Sequence, residues 1–320
     1  MNWFTFRFQD FSYSFLSILF EGLPFLLLGS VLSGVIDAFV PGEVFSRILP
    51  RNKFAAIALS GALGAVFPMC ECGSVVVARR FIRKGLPIAS AVTYMLSAPI
   101  VNPVVALSTF AAFRGQSPWV MTSLRLALGF LLSVTVGFIV QQAPLEKILN
   151  RKILDTLPGK LRTAFRIGAA PGAEQDLNAA LAEGGPRSRV LAAIQSATSD
   201  FLDVAFFLVV GAAITSVFNT AVNQQFIQPL ATNAPLATLA MMGLRFLLAL
   251  CSTSDAFIAA SFVSFPFVAK LAFLVFGAMF DIKLFFLYGL IFRRWFVAAL
   301  GIGLFTAIAV LCLRLTVLNL

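Results

Sequence analysis

The sequence predicts an all-α membrane protein that crosses the bilayer several times, and three observations carry this prediction. First, 59% of the 320 residues are hydrophobic and only 12% are charged, whereas a soluble domain carries about 25% charged residues. Second, several apolar runs exceed the roughly 20 residues that a helix needs to cross the hydrocarbon core. Third, apolar and polar residues do not alternate along these runs, as the strands of a membrane β-barrel would require.

The long apolar runs are the expected membrane-spanning elements. They cover residues 11–36, 88–113, 118–141, 201–219, 267–291 and 295–318. We read the first run as a retained span, because it is too long for the core of a signal peptide. The net charge of +10 then reflects the Lys and Arg excess that orients membrane helices. We therefore expect the lipid bilayer, and no nucleic acid, as a partner.

One hydrophilic stretch, 142–195, divides the chain. It is rich in basic residues and is punctuated by Gly and Pro, so it reads as a cytoplasmic linker with one or two short helices. The linker separates a first membrane repeat, 1–141, from a second, 196–320. It is also where we expect a partner subunit or a second copy of the chain to bind.

The two halves resemble each other. Glu21 and Asp203 each precede a glycine by eight positions. Cys70 follows Glu21 by 49 residues, and Cys251 follows Asp203 by 48. Matched spacings of this kind predict an internal duplication, as in many transporters.

The segments around the two cysteines decide the expected topology. The apolar arm 54–68 has only 15 residues, about 22 Å of helix, and the arm 235–250 is similarly short of the ~30 Å core. Each segment is either an interrupted span, which gives eight plain spans, or a re-entrant hairpin, which leaves three full spans per half. The hairpin arrangement places eighteen Lys and Arg inside against four outside, so the positive-inside rule favours it. Three spans per half also make the two repeats inverted.

Cys70-Glu71-Cys72-Gly73 is the most distinctive motif. Two thiols two positions apart can converge on one soft ion where the backbone is not helical, and Pro68 and Gly73 favour such a break. Thiolates select soft acceptors such as Zn²⁺ or Cu(I) and, by the same logic, trivalent arsenic and mercury.

A second polar motif, 251–255, holds Cys251, three hydroxyl side chains and Asp255. Such groups are costly in hydrocarbon unless they line a cavity or contact each other. If the two motifs meet, Cys251 adds a third sulfur to the site. A helix contact through small residues is the alternative role for Ser252 and Ser254.

A third element, 97–103, contains two prolines that free backbone carbonyls and Asn102, which can donate and accept hydrogen bonds. Arg125 and Arg245 are interpreted as ion-pair partners of the acidic residues, and Asp281 is a further acidic candidate within an apolar run or at its interface. The expected solute-binding residues are Cys70, Cys72, Cys251, Asn102, Ser254 and Asp255, the three cysteines serving as ligands of a thiophilic solute. The expected proton-coupling residues are Glu21, Glu71, Asp203 and Asp255. Proton relay falls to carboxylates because the chain has no histidine.

With these motifs in place, the sequence resembles the predicted permeases of the ArsP/YraQ type. The resemblance covers both membrane halves but not the linker. It implies a multi-pass protein of the bacterial inner membrane, and some members are linked to efflux of arsenite or organoarsenicals. The matching positions are Cys70, Cys72, Ser97, Pro99, Asn102, Pro103, Cys251, Ser254 and Asp255.

The first functional hypothesis is a secondary transporter that exports a thiophilic metalloid, such as arsenite or an organoarsenical, with carboxylates coupling export to protons. A permease for another small solute and a membrane subunit of a multi-component permease complex are the alternatives. An enzyme is not expected, because the chain has no phosphate-binding loop and no Ser/His pair. No cofactor is expected.

Overall fold

The structure is a computed structural model that describes residues 8–39, 50, 52–67, 69–150, 186–221 and 233–317. These residues are almost entirely helical, with thirteen helices and one isolated β-bridge among them. The prediction of an all-α protein is confirmed.

The first half contains two long helices around four short ones. α1 carries a proline in its interior. The four short helices follow one another along the chain as two pairs. The bounds are α1 Phe8–Phe39, α2 Lys53–Val66, α3 Glu71–Arg83, α4 Ile88–Ser97, α5 Pro103–Ala112 and α6 Pro118–Gln141.

The second half repeats this order of elements after a four-residue helix, α7 Leu145–Ile148. Its long first helix begins at 186, inside the stretch expected to be linker. The bounds are α8 Pro186–Ala221, α9 Ala234–Leu248, α10 Asp255–Ser261, α11 Phe267–Met279, α12 Ile282–Tyr288 and α13 Arg294–Val317.

The short helices end where the sequence supplies a break and a new cap. α2 has 14 residues, about 21 Å of helix, and Cys70 caps the start of α3 by accepting from the Gly73 amide. In the second half, Ala249 ends α9 with a left-handed backbone, φ 41°. Asn102 and Asp281 cap α5 and α12, each accepting a backbone N–H through its side-chain oxygen. The breaks at the two cysteine motifs and at 97–103 agree with the predicted polar interruptions, whereas the break at 280–281 divides the run 267–291, which the hydropathy pattern predicts as one span.

The same pairs of helices pack in both halves. In the first half, α2 packs on α4 and α6, and α4 also contacts α3 and α6. In the second half, α9 correspondingly packs on α11 and α13, and α11 also contacts α10 and α13. Between the halves, α1 packs along α8, and the contact of α5 with α10 is matched by that of α12 with α3. This correspondence agrees with the predicted duplication; the inverted orientation and the hairpins remain predictions.

The burial pattern separates a protein core from an apolar outer surface. Every residue of α4 is buried, as is nearly all of α11. Large apolar side chains on the outer helices are exposed instead, among them Phe20, Leu107, Ile139 and Ile302. Within the described residues, four helical stretches are long and apolar enough to cross a membrane: Phe8–Val35, Pro118–Gln141, Phe267–Tyr288 and Arg294–Thr316. The architecture is that of a polytopic membrane protein.

A short clasp ties the end of the first half to the loop before the last helix. Leu149 forms the β-bridge with Phe292, and the Asn150 amide donates to the Ile291 carbonyl at 3.0 Å. The indole of Trp295 donates to the Lys147 carbonyl at 2.9 Å. We call residues 147–150 with 289–295 the clasp.

Candidate functional site

Six charged side chains meet in the interior of the protein, and we call them the six-charge cluster. All are buried, with exposed fractions between 0% and 4%. Three are acidic and three basic, so their formal charges balance. The members are Glu71, Arg125, Arg245, Asp255, Asp281 and Lys283.

The broken segments place the acidic members. Glu71 and Asp255 belong to the polar motifs and are the first residues of α3 and α10, where the helix dipole favours a carboxylate. Asp281 is the N-cap of α12, and its Oδ1 accepts from the Leu284 amide at 2.7 Å. The helix breaks therefore bring three carboxylates to one place.

Arg125 and Asp255 make the tightest contact in the cluster. Arg125 Nη2 lies 3.0 and 2.9 Å from the two carboxylate oxygens of Asp255. The same guanidinium donates to the Ser252 carbonyl at 3.1 Å and, through Nη1, to Thr109 Oγ1 at 2.7 Å. Both interior charges are thus paired and hydrogen-bonded, as buried charges must be.

The other four members share looser contacts. Lys283 Nζ lies 3.2 Å from Glu71 Oε2 and 3.7 Å from Asp281 Oδ2. Arg245 lies 3.6 Å from Glu71, 3.6 Å from Asp281 and 3.7 Å from Asp255. Arg245 therefore contacts all three acids, including the two that belong to the polar motifs.

The cluster joins the two halves of the chain. Glu71 and Arg125 come from the first half, and the other four members from the second. We call residues 69–73 the first tip and residues 249–255 the second tip. Each tip contributes one carboxylate to the cluster, so the two polar motifs meet as the sequence predicted, although 184 positions separate Glu71 from Asp255.

The three motif cysteines lie in these tips as buried free thiols. The Cys70 sulfur accepts from the Gly73 amide at 3.4 Å. The fourth cysteine, Cys312, is buried in α13, away from the tips.

The other predicted site residues have simpler positions. Asn102 Oδ1 caps α5 by accepting from the Val104 amide at 2.9 Å, and the Ser254 hydroxyl donates to the Cys251 carbonyl at 3.3 Å. Glu21 is half-buried on α1, within electrostatic range of Cys251. The side chain of Asp203 lies outside the described residues.

No group of three or more Cys, Asp or Glu side chains is arranged to hold a metal ion in the described part of the chain. The three-sulfur site therefore stays a prediction. The roles of the remaining candidates in solute binding and proton coupling also stay predictions.

Sequence reasoning missed one member of the cluster. Lys283 counted as a residue of the inner membrane surface, but it is buried in the core. The signal was present: Asp281 and Lys283 are opposite charges two positions apart in an apolar run. Such a pair indicates an interior ion pair rather than the end of a span.

Several buried polar atoms near the tips lack a hydrogen-bond partner among the described residues. They are Glu71 Oε1, Asp281 Oδ2, Arg245 Nε and Nη1, Tyr94 Oη and Ser252 Oγ. Buried polar atoms are normally paired. Glu71 Oε1 and Asp281 Oδ2 each lie 3.6 Å from Arg245, so these charges are held by ion pairs beyond ordinary hydrogen-bond length.

Comparison with known proteins gives consistent matches. The ArsP_1 family model, described as "Predicted permease", matches residues 7–316. "UPF0718 protein YcgR" of Bacillus subtilis (strain 168) is 36% identical over 270 residues, which are 84% of each chain. A "Putative two-component membrane permease complex subunit" of Streptococcus mutans serotype c is 32% identical over 84% of this chain and 82% of the relative.

A more distant relative is "UPF0718 protein YraQ" of Escherichia coli (strain K12), at 25% identity over 38% of this chain and 36% of that protein. No solved structure matches the chain.

Proposed function

This chain belongs to the ArsP_1 family of predicted permeases, a multi-pass membrane protein by its apolar helices, and from that premise we propose that it moves a small solute between its two tips. The observation that carries the proposal is the position of Arg245. Its Nη2 atom lies 3.6 Å from a carboxylate of the first tip and 3.7 Å from one of the second. Charged groups inside a membrane protein are costly and are retained at solute and ion pathways.

The proposed mechanism is alternating access by two inverted repeats, each with three spans and a re-entrant hairpin. The repeated packing pairs support two equivalent units. In this arrangement the broken segments of both units face a common site near mid-depth. The six-charge cluster supports this mechanism, because both units contribute side chains to it.

The proposed solute is a thiophilic metalloid, such as arsenite or an organoarsenical, and the direction is export. Support comes from Cys70, Cys72 and Cys251, three buried thiols in the two tips. Lys283 donates to Glu71, between Cys70 and Cys72, and to the Ala249 carbonyl of the second tip, and a positive charge in this region favours thiolates, the form that binds soft ions. The carboxylates Glu71 and Asp255 are the proposed carriers of coupling protons.

A second candidate function is favoured by one relative. The Streptococcus mutans protein is named as a subunit of a two-component membrane permease complex. By analogy, this chain would form the membrane part of such a complex, with its partner bound at the linker, 142–195.

The test is tolerance of arsenite and methylarsenite in cells that lack their own arsenic exporters and express this chain alone. Uptake by everted vesicles from the same cells then measures transport directly. Tolerance and uptake together support the autonomous exporter. If neither occurs in well-expressing cells, the autonomous exporter is wrong, and co-expression with genes adjacent to its own tests the subunit function.

Binding to the purified protein tests the solute class separately. The probes are arsenite, methylarsenite, Hg(II), Zn(II) and small anions. Binding of the thiophilic probes that is lost after alkylation of the cysteines supports the thiol site. Binding of anions alone would contradict it.

A further inference from the structure

Each tip is held by a charged side chain from the opposite half. Asp255 in the second tip is bound by Arg125 of the first half. Glu71 in the first tip is bound by Lys283 of the second half. The two holds are thus reciprocal, and they use different residues.

The Arg125 guanidinium holds the second tip through several hydrogen bonds. Arg125 donates to both oxygens of Asp255 and to the Ser252 carbonyl, next to Cys251. Within the tip, the amides of Ser254 and Asp255 donate to the Cys251 carbonyl at 3.2 and 2.9 Å. Arg125 therefore fixes the turn that contains Cys251, and its own position is fixed by Thr109.

The hold on the first tip passes through Glu71. Its Oε2 accepts from Lys283 at 3.2 Å, and its Oε1 lies 3.6 Å from Arg245 without a hydrogen bond. Glu71 lies between Cys70 and Cys72, so the contact fixes the backbone that carries both thiols. Lys283 also donates to the Ala249 carbonyl of the second tip at 3.2 Å. Removing the Glu71 carboxylate therefore frees the first tip alone, whereas removing Lys283 affects both.

Two side chains of the second half link the tips. Lys283 donates to Glu71 and to the Ala249 carbonyl, both at 3.2 Å, and Arg245 lies 3.6 and 3.7 Å from the two tip carboxylates, beyond ordinary hydrogen-bond length. Bonds of 2.9 to 3.2 Å hold each tip to the opposite half. The Arg125–Asp255 and Lys283–Glu71 contacts share no residue, so one hold can be lost while the other is kept.

We infer that Arg125 and Glu71 are positioning residues that hold the two tips closed separately. Arg125 keeps the second tip closed around Cys251, and Glu71 keeps the first tip closed around Cys70 and Cys72. The inference rests on the proposed function only in taking the tips as the two sides of a solute site. Independent release of the two sides is what alternating access requires of such a site.

The four native cysteines provide the test, which needs no transported solute. The full-length protein in lipid nanodiscs is treated with N-ethylmaleimide, and peptide mass spectrometry gives the alkylation rate of each cysteine. In R125Q, we expect the rate at Cys251 to rise about tenfold or more, with Cys70 and Cys72 unchanged. The factor follows because hydrogen bonds to a charged group are typically worth at least about tenfold in an opening equilibrium.

The reciprocal variant is E71Q, which keeps the size of the side chain and removes its charge. We expect Cys70 and Cys72 to react faster by a similar factor, with Cys251 unchanged. R125K, which keeps the charge but loses the guanidinium, should give an intermediate rate at Cys251. Cys312, buried in α13, reports general unfolding and should stay slow in all three variants.

The inference is judged in protein whose Cys312 stays protected. It is overturned if R125Q and E71Q expose the same set of cysteines. It is also overturned if neither variant changes the alkylation rate of any cysteine. If Cys312 becomes reactive in R125Q, the charge-neutral pair R125Q/D255N replaces it and is judged by the same pattern. If the protein transports no arsenite, but R125Q exposes only Cys251 and E71Q only Cys70 and Cys72, the result supports the two holds. It then counts only against the proposed solute.

Discussion

Lys283 Nζ lies 3.2 Å from Glu71 Oε2 across 212 positions of sequence. The same nitrogen lies 3.2 Å from the Ala249 carbonyl, so one side chain of α12 contacts both tips. Glu71 and Lys283 belong to different halves, and both are almost fully buried. This pair is therefore a direct link between the halves at the centre of the protein.

Breaking that pair should destabilise the protein strongly. In K283Q, Glu71 loses its hydrogen-bonded cation inside the core, which typically costs about 3–5 kcal/mol. Thermal unfolding of the detergent-solubilised protein should show a clear decrease in Tm. The double variant E71Q/K283Q should recover part of the loss, because no charge of the pair is left unpaired. K147Q, at an exposed side chain, is the matched control and should leave Tm unchanged; an equal decrease in K283Q and K147Q would contradict the prediction.

The tip thiols should be required for export of a thiophilic solute. C70S and C72S should each abolish arsenite or methylarsenite uptake by everted vesicles, because a hydroxyl is a poor ligand for soft ions. Protein abundance in the membrane should be unchanged. C312S changes a cysteine outside the tips and should transport normally. Normal export by a C70S/C72S double variant would show that the thiols do not bind the solute, and would direct attention to the oxygen groups of Glu71, Asn102, Ser254 and Asp255.

Gly29 should not tolerate a side chain. A Cβ at this position would lie 3.0 Å from the Cα of Gly73 in the first tip, so α1 and α3 would have to move apart. G29A should lower stability by about 1–3 kcal/mol, as overpacking usually does. G303A is the control, since a Cβ there meets nothing within 4 Å, and it should be neutral or stabilising by about 1 kcal/mol. Equal Tm values for the two variants would contradict the close packing of α1 on the tip.

The topology prediction concerns segments that lie largely outside the described residues. Residues 1–10 and 315–320 should face the periplasm and 142–195 the cytoplasm, because that orientation leaves Lys and Arg mainly inside. W3C and L318C in a cysteine-free background should react with a membrane-impermeant maleimide added to intact cells, and Q175C should not. Protection of both termini together with a cytoplasmic linker would instead establish eight plain spans.

Local sequence features predicted the apolar helices and the breaks at the two cysteine motifs. The polar interruptions at 70–73 and 251–255 could be found because they are energetically costly in an apolar run, and Arg125 and Arg245 were recognised as partners of acids for the same reason. The assignment of partners could not be predicted. Nothing near Arg125 in the sequence selects Asp255, which lies 130 positions away; that choice depends on the packing of α6 against the second half.

Lys283 illustrates the other limit of the sequence. A lysine near the end of an apolar run is usually a boundary residue, and the count of inner charges treated it as one. Its interior position arises because the chain breaks between α11 and α12, and the new helix begins within the core at Asp281. A hydropathy pattern records the apolar run but not the depth at which the helix restarts.

The clasp gives the linker a short mechanical connection to the centre of the protein. Asn150 of the clasp donates to the carbonyls of Gly289 and Ile291, directly after the end of α12. Lys283 lies at the other end of this seven-residue helix, about 10 Å away along its axis. A partner bound at the clasp would therefore contact a segment that is hydrogen-bonded to the turn after α12, the helix that carries the lysine shared by both tips.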